Sequence, residues 1–286
     1  MTNLYRDVPA EQVETLRSFR AEHPYRRTTL RGIPWEHIVA GEGERALLLL
    51  PGALGTGESN WQSVLHFSPR YRVVSPTYAP VSTMVELTDG IAEILEREGI
   101  GKATVIGGSY GGLVAQVFVR RHPGRTEDLV LSHTVPPDRE RGRKVASALR
   151  WLGILPMGLL RFLIRKRLEG LLPRDHPDAA LVRAYFRESI ARDLDKEGTM
   201  ASYRRVADFD TLSIFTPGDL DGWPGRVLLL MTDNDPATPE PVREVFKTLY
   251  PHAEVRLFKG TGHATAILQR EAYLGAIEEF LSTRSR

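Results

Sequence analysis

The feature that most constrains this chain is a serine flanked by glycines, placed between an apolar run and a helical segment rich in small residues. The apolar run Thr104–Ile106 leads directly into Gly107-Gly108-Ser109-Tyr110-Gly111, a G-x-S-x-G pattern. In this context the serine occupies a sharp, strained strand-to-helix turn, and the outer glycines let neighbouring backbone pass closely. The turn exposes the hydroxyl and directs the helix N-terminus at charge developing on a substrate. We therefore predict that Ser109 is a nucleophile.

Short apolar runs recur along the chain, with helix-length amphipathic segments such as Thr83–Arg97 and Leu113–Arg121 between them. Runs that are apolar at consecutive positions are typical of strands covered on both faces, as in a parallel sheet. Their alternation with helices predicts an α/β fold, a mostly parallel central sheet flanked by helices. The predicted strands are Thr28–Arg31, Trp35–Val39 (a hairpin with the first, turning at Gly32-Ile33-Pro34), Ala46–Leu50, Tyr71–Ser75, Ala103–Ile106, Leu129–Ser132, Val227–Met231 and Glu254–Phe258.

The alternation of strands and helices is interrupted once, between Ser132 and Val227. This interval is far longer than a crossover needs, and its apolar residues have helical spacing. We predict a helical cap, or lid, over residues 138–211, inserted before the penultimate strand. Residues 1–137 and 212–286 would then form the α/β core.

A serine nucleophile needs a base, and the order nucleophile, acid, histidine along the chain indicates where to look. His263 follows the last predicted strand and precedes the C-terminal helical segment. Two carboxylates, Asp233 and Asp235, follow the penultimate strand; we favour Asp235 as the acid that orients His263 and expect Asp233 to stabilise the loop. His133, at the end of another strand, is a candidate for lining the pocket.

The loop Pro51–Gly57 follows the third predicted strand and predicts half of an oxyanion hole. We expect the backbone N–H groups of Ala53 and Tyr110 to stabilise the oxyanion. The same loop starts a phosphate-binding pattern, G-x-x-x-x-G, which must continue with lysine. Glu58 stands there instead and would repel phosphate. A nucleotide site is therefore not predicted, and neither is a cofactor.

Composition excludes further classes of function. Lys and Arg number 38 against 36 Asp and Glu, so the small surplus does not imply nucleic acid as a partner. The absence of cysteine removes thiolate zinc sites, iron–sulfur clusters and a cysteine nucleophile, and no H-E-x-x-H is present, so we predict no metal. The most apolar segment, Trp151–Ile164, is shorter than the roughly 20 residues of a bilayer span. We expect no transmembrane segment and a cytoplasmic location.

The predicted cap carries a cluster of positive charge. Between Arg139 and Arg167 nine basic residues face one acidic residue, Glu140, and they are interleaved with Trp151 and Phe162. Such a segment resembles an interfacial helix in weak contact with anionic lipid. A solvated cap surface is the commoner explanation, and both interpretations stay open here.

Taken together, these residues resemble the α/β-hydrolase fold superfamily over nearly the whole chain. More narrowly, the stretches Pro51–Thr56, Tyr71–Pro80, Gly107–Gly112 and Leu249–Ala253 are similar to the maspardin-like branch of that superfamily. The superfamily resemblance implies a hydrolase of esters, thioesters, amides or related bonds that works without a cofactor. The branch resemblance implies a competing role, because maspardin-like members include proteins thought to be non-catalytic binders with an incomplete triad.

This chain keeps Ser109, Asp235 and His263, which favours catalysis. It has Pro51 where His-Gly often opens the oxyanion loop of the superfamily. We expect a serine carboxylesterase that acts on a small-molecule ester through an acyl-enzyme. The alternatives are a non-catalytic interaction protein, a thioesterase, or a capped enzyme that cleaves a carbon–carbon bond.

Overall fold

The structure is a computed structural model that describes residues 4–172, 176 and 178–283. Within these residues eight strands form a single sheet. The strands are β1 (Arg26–Leu30), β2 (Ile33–Ala40), β3 (Ala46–Leu50), β4 (Arg72–Thr77), β5 (Ala103–Gly108), β6 (Thr126–Ser132), β7 (Val227–Thr232) and β8 (Glu254–Phe258). Their order across the sheet is β1-β2-β4-β3-β5-β6-β7-β8. Only β2 runs against its neighbours, so the predicted, mostly parallel sheet is confirmed.

Helices cover both faces of this sheet, and four of them lie between β6 and β7. The helices are α1 (Ala10–Glu22), α2 (Trp61–Phe67), α3 (Met84–Arg97), α4 (Tyr110–Arg121), α5 (Arg139–Ile154), α6 (Met157–Glu169), α7 (Ala179–Asp193), α8 (Lys196–Leu212), α9 (Glu240–Leu249), α10 (Thr265–Leu268) and α11 (Arg270–Ser282). Within the described part of the chain, none combines the length and apolar character that crossing a bilayer requires.

The core is divided by the sheet into two apolar layers. Along β3, Leu48 and Leu50 pack into the layer under α3, α4 and α9, whereas Leu47 and Leu49 pack into the layer under α1, α2 and α11. This alternation is the two-residue period of a strand. It explains why the run Ala46–Leu50 is apolar throughout: both faces of β3 are buried.

The predicted strand at Glu254–Phe258 has the predicted bounds but not the predicted environment. It is β8, which lies at the edge of the sheet, and Val255 and Leu257 are 41% and 53% exposed. The expectation of a strand covered on both faces is therefore wrong here. The apolar run marks a strand but does not distinguish a central one from an edge.

The predicted N-terminal hairpin also forms, with a shorter turn. Arg31 and Gly32 have φ values of 52° and 80°, the backbone of a two-residue turn that matches the strand twist. Pro34, which we expected in the turn, lies in β2 opposite Thr29. The turn therefore precedes the predicted one by one to two residues.

Helices α5–α8 occupy the interval in which a cap is predicted, and we refer to them as the cap. Helix α5 begins after Asp138, whose carboxylate accepts N–H bonds in the first turn, and it packs along α8. The contact is close because Gly142 has no side chain: a Cβ there would lie 2.7 Å from the Cβ of Asp210. The division into a core and a cap at 138–211 stays a prediction.

Ion pairs centred on the buried Glu58 and on Arg20 attach the cap to the core beside the loop after β3. Glu58, only 4% exposed, pairs with Arg20 of α1 at 2.7 Å and with Arg192 of α7 at 3.0 Å. Arg20 also pairs with Glu188 of α7 at 2.8 Å. Glu58, the residue that argues against a phosphate-binding loop, thus connects α1, α7 and the loop after β3.

Candidate active site

Ser109 lies at the junction between β5 and α4, in a backbone conformation that non-glycine residues rarely adopt. Its φ and ψ are 51° and −120°. The glycines on either side permit this turn: a Cβ on Gly107 would lie 2.4 Å from the carbonyl oxygen of Gly111. A Cβ on Gly111 would lie 2.3 Å from the carbonyl oxygen of Leu50. The strained turn projects Ser109 from the carboxyl end of the sheet, as the sequence pattern predicts.

The end of β6 and the residues that follow it hydrogen-bond with both the N–H and the carbonyl of Ser109. The Ser109 N–H donates to the Ser132 carbonyl at 2.8 Å, and the Thr134 hydroxyl donates to the Ser109 carbonyl at 2.8 Å. Gly112 makes room for Thr134, since a Cβ there would lie 2.5 Å from the threonine side chain. Sequence reasoning missed Ser132 and Thr134, whose only signal was their position at the end of a parallel strand.

Three predicted residues from distant parts of the chain are hydrogen-bonded in a row. Nε2 of His263 lies 2.9 Å from Oγ of Ser109, and Nδ1 of His263 lies 2.8 Å from Oδ2 of Asp235. An ionised carboxylate only accepts, so Nδ1 carries a proton, and whenever the ring is neutral Nε2 accepts from the serine hydroxyl. This geometry suits a serine activated by a general base.

Asp235 is held as an anion below the surface. Burial by itself raises the pKa of its carboxyl, but hydrogen bonds from His263 and from the Ala237 N–H outweigh burial and leave the pKa below its usual range. The competing carboxylate, Asp233, lies elsewhere in the loop and accepts from the Gly260 N–H at 2.9 Å. Between the two candidates, only Asp235 contacts His263 among the described residues.

His133 lies behind His263 rather than in an open pocket. Its ring meets that of His263 edge to face with centroids 5.9 Å apart, and it is 6% exposed. Nε2 of His133 lies 2.7 Å from the hydroxyls of both Thr232 and Thr265, and Nδ1 hydrogen-bonds with Ser132 at 2.7 Å. Burial and, to a smaller extent, the electrostatic interaction with His263 lower the pKa of His133 to about 4, so the His133 ring is neutral near pH 7.

The loop that follows β3 meets α4 where an oxyanion hole is predicted. Tyr110 is the first residue of α4, so its N–H has no acceptor within the helix. Ala53 lies exposed in the turn after β3, the parallel neighbour of β5. Tyr78 fixes this loop, donating its N–H to the Gly55 carbonyl at 2.8 Å and its hydroxyl to the Pro51 carbonyl at 2.8 Å.

A buried arginine from the cap braces the same region. Arg205 of α8 is 2% exposed and donates from Nε to the Tyr110 hydroxyl at 2.6 Å. Its Nη1 donates to the carbonyls of Ala79 and Val81 at 2.9 and 2.7 Å. No acidic side chain among the described residues lies within ion-pair distance of this guanidinium. Nothing local in the sequence distinguishes Arg205 from the many other arginines of the cap.

The described residues include no cluster of three or more His, Asp or Glu side chains arranged to hold a metal ion. The site itself supplies side-chain and backbone chemistry. The site combines a positioned hydroxyl, an imidazole within hydrogen-bond distance of it, a carboxylate that orients the imidazole, and backbone donors nearby.

Comparisons with known proteins agree with this architecture. Maspardin from Danio rerio is 34% identical over 91 residues, which is 31% of this chain and 29% of maspardin. A hydrolase from Pseudomonas aeruginosa PA01 superimposes with a TM-score of 0.75 over 90% of this chain and 98% of its own, at 18% identity. A thermophilic esterase from Thermogutta terrifontis superimposes with a TM-score of 0.74 over the same shares, at 22% identity.

The structural matches are too distant in sequence to show more than a common fold. The sequence itself provides the assignment, because residues 47–276 match the profile of the alpha/beta hydrolase family. That stretch includes the strand-to-helix turn at Ser109 (the elbow), the cap, and the loops that carry Asp235 and His263. The chain therefore belongs to the alpha/beta hydrolase family.

Proposed function

We propose that this protein is a serine hydrolase that cleaves carboxylic esters, with Ser109, His263 and Asp235 as its catalytic triad. The observation that carries the proposal is the pair of hydrogen bonds that joins the three side chains, at 2.9 and 2.8 Å. Ser109 is 154 residues from His263, and His263 is 28 residues from Asp235, so chain proximity does not account for their meeting in this order, hydroxyl to imidazole to carboxylate. Activation of a serine hydroxyl requires that order.

The proposed reaction proceeds in two half-reactions. Oγ of Ser109 attacks the acyl carbonyl while Nε2 of His263 takes the hydroxyl proton, and Asp235 stabilises the resulting imidazolium without taking the proton. The N–H groups of Ala53 and Tyr110 donate to the oxyanion, and each such donor lowers the barrier by about 3 kcal/mol. His263 returns its proton to the leaving alkoxide, and the alcohol departs. Water, deprotonated by His263, then hydrolyses the acyl-enzyme and releases the acid.

Two features support catalysis over a purely structural arrangement. The backbone N–H and carbonyl of Ser109 are hydrogen-bonded to Ser132, the last residue of β6, and to Thr134, and these bonds fix the serine in its strained conformation. Tyr78 and Arg205 brace the loops that carry the two oxyanion donors. Positioning of this kind supplies the pre-organisation on which acyl transfer depends.

Labelling with a fluorophosphonate tests the proposal directly. We expect one adduct on Ser109, located by intact mass and peptide mapping, and none on Ser109→Ala. Ser132→Ala is the matched control, because Ser132 is a neighbouring serine whose backbone, not its hydroxyl, contacts Ser109. A series of p-nitrophenyl esters of increasing acyl length should then turn over with the wild type and not with Ser109→Ala.

Absence of both labelling and turnover would contradict the proposal and favour the binding role that the resemblance to maspardin raises. Labelling without ester turnover would leave the nucleophile in place and refute the ester as substrate. A thioester panel and a vinylogous diketone panel would then separate the two remaining chemistries.

A further inference from the structure

The outer surface of the cap carries a cluster of apolar side chains that face solvent. At the end of α5, Trp151 and Ile154 are 62% and 72% exposed. At the start of α6, Leu159, Phe162 and Leu163 are 43%, 48% and 45% exposed. We call these five residues the cap patch. They lie within 13 consecutive positions, whereas exposed large apolar residues are scattered over the rest of the described chain.

On each of the two helices, the residues of the cap patch lie on one face. Leu159, Phe162 and Leu163 stand at i, i+3 and i+4 of α6, which places them on one face. Trp151 and Ile154 stand at i and i+3 on the last turn of α5, and only two residues separate the helices. Burial on the opposite side of these helices is slight, with Leu160 alone fully buried in α6. The apolar faces thus point away from the core.

Positive charge surrounds the cap patch. Among the described residues, Arg161 donates to the Leu194 carbonyl, whereas five other cations near the cap patch have no acidic partner within 4 Å: Arg143, Arg150, Arg165, Lys166 and Arg167. The nearby acids are engaged elsewhere, Glu140 with Lys144 and Glu169 with Arg187. The guanidinium groups of Arg150 and Arg165 lie 5.6 Å from the rings of Trp151 and Phe162. Cations therefore stand beside the apolar anchors rather than apart from them.

We propose that the cap patch and these five cations bind the surface of an anionic lipid bilayer. Transfer of exposed apolar groups out of water lowers the free energy. A bilayer interface accommodates aromatic and aliphatic side chains, while cations next to them reach the headgroups. Attachment at an interface requires two signals, an apolar one and a basic one, and both are present here. A second copy of this chain fits less well, because it would bring five unpaired cations against five more.

Trp151 provides a direct readout of this binding. Trp35 and Trp61 are buried and Trp223 is half-buried, so Trp151 is the tryptophan whose surroundings a vesicle would change. Adding vesicles of phosphatidylcholine with phosphatidylglycerol should shift the fluorescence emission of Trp151 to the blue, and the protein should cosediment with the vesicles. Vesicles of phosphatidylcholine alone should bind more weakly, and salt should reverse the binding. Trp151→Phe should lose the spectral shift and keep most of the cosedimentation.

Variants separate the two signals. Lys166→Gln with Arg167→Gln should weaken binding about 25-fold, since each charge near an anionic surface contributes about five-fold. Ile154→Ser with Phe162→Ser should weaken it by at least about ten-fold. The control, Val255→Ser with Leu257→Ser, removes exposed apolar groups from the edge strand β8 and should bind like the wild type.

Three results would overturn the proposal. The first is no binding to anionic vesicles at low salt, and the second is binding that both cap variants leave unchanged. The third is a change in oligomeric state, measured by analytical ultracentrifugation, with no vesicle binding; the cap patch would then join two copies of the chain. None of these measurements depends on esterase activity, so the inference stands or fails separately from the proposed function.

Discussion

Replacing His133 by Asn should make the stability of this protein less sensitive to acid. His133 is buried beside the candidate triad and hydrogen-bonds through both ring nitrogens. Its backbone has a φ of 47°, a region that Asn adopts more readily than most residues. His133→Asn therefore removes the titratable ring while keeping a side chain suited to this backbone.

The magnitude follows from the difference between the two states of the protein. Burial lowers the pKa of His133 to about 4 in the folded chain, against about 6.5 in the unfolded chain. Between these values the unfolded state binds more protons, so the free energy of unfolding falls as the pH falls. From about pH 7 to about pH 5 the loss attributable to His133 is about 2 kcal/mol, approaching about 3 kcal/mol near pH 4.

Urea unfolding at about pH 7, 6 and 5 measures this loss. The wild type should lose about 2 kcal/mol more than His133→Asn between the first and the last of these values. His252→Asn is the matched control, because His252 is exposed in the turn before β8 and should leave the pH dependence of the wild type unchanged. Parallel curves for the wild type and His133→Asn would refute the claim that His133 is buried in its neutral form.

Two further comparisons test the elbow and the acid. Asp235→Asn should lower kcat about 10⁴-fold, by analogy with other triads, because an amide no longer stabilises the imidazolium. Asp233→Asn keeps an oxygen for its N–H partner, so its kcat should stay within about ten-fold of wild type; equal effects would contradict the assignment. Gly111→Ala places a Cβ 2.3 Å from the Leu50 carbonyl and should lower the free energy of unfolding by about 1–3 kcal/mol, measured in urea. Gly275→Ala meets no neighbour on α11 and should raise it by about 0.5–1 kcal/mol.

Sequence patterns predicted the fold where the pattern is local. The bounds of β3 and β8 match the predicted runs, and α3 starts one residue after the predicted Thr83, whose side chain caps it. Edge position is not local, since it depends on which strands pair, and so the exposure of β8 was not predicted. The cap interval could be recognised by its length, but which helix faces turn outward depends on packing that the spacing alone does not determine.

The candidate site likewise combines features that a local sequence pattern predicts with features that no local pattern predicts. The elbow at Ser109 has a local cause, because its glycines are adjacent in sequence to the strained residue they permit. The contributions of Thr134 and Arg205 arise between residues 25 and 95 positions apart. No short pattern encodes such a contact, so neither residue could be assigned from the sequence. The catalytic roles of Ser109, Asp235 and His263 stay predictions until the labelling experiment is done.

The helices of the cap differ in how many residues they bury. Helix α8 buries seven residues, among them Arg205. The guanidinium of Arg205 donates hydrogen bonds to neutral groups of the core rather than to an acidic side chain. Moving α8 would break those hydrogen bonds and leave a buried guanidinium without partners, at a large cost in free energy. Helix α8 is therefore held in place over Tyr110. Helices α5 and α6 bury one residue each, Gly142 and Leu160. The ion pair between Arg141 of α5 and the buried Asp210 of α8, together with the close approach at Gly142, nevertheless ties α5 to α8, so the cap patch begins on a helix that α8 holds in place.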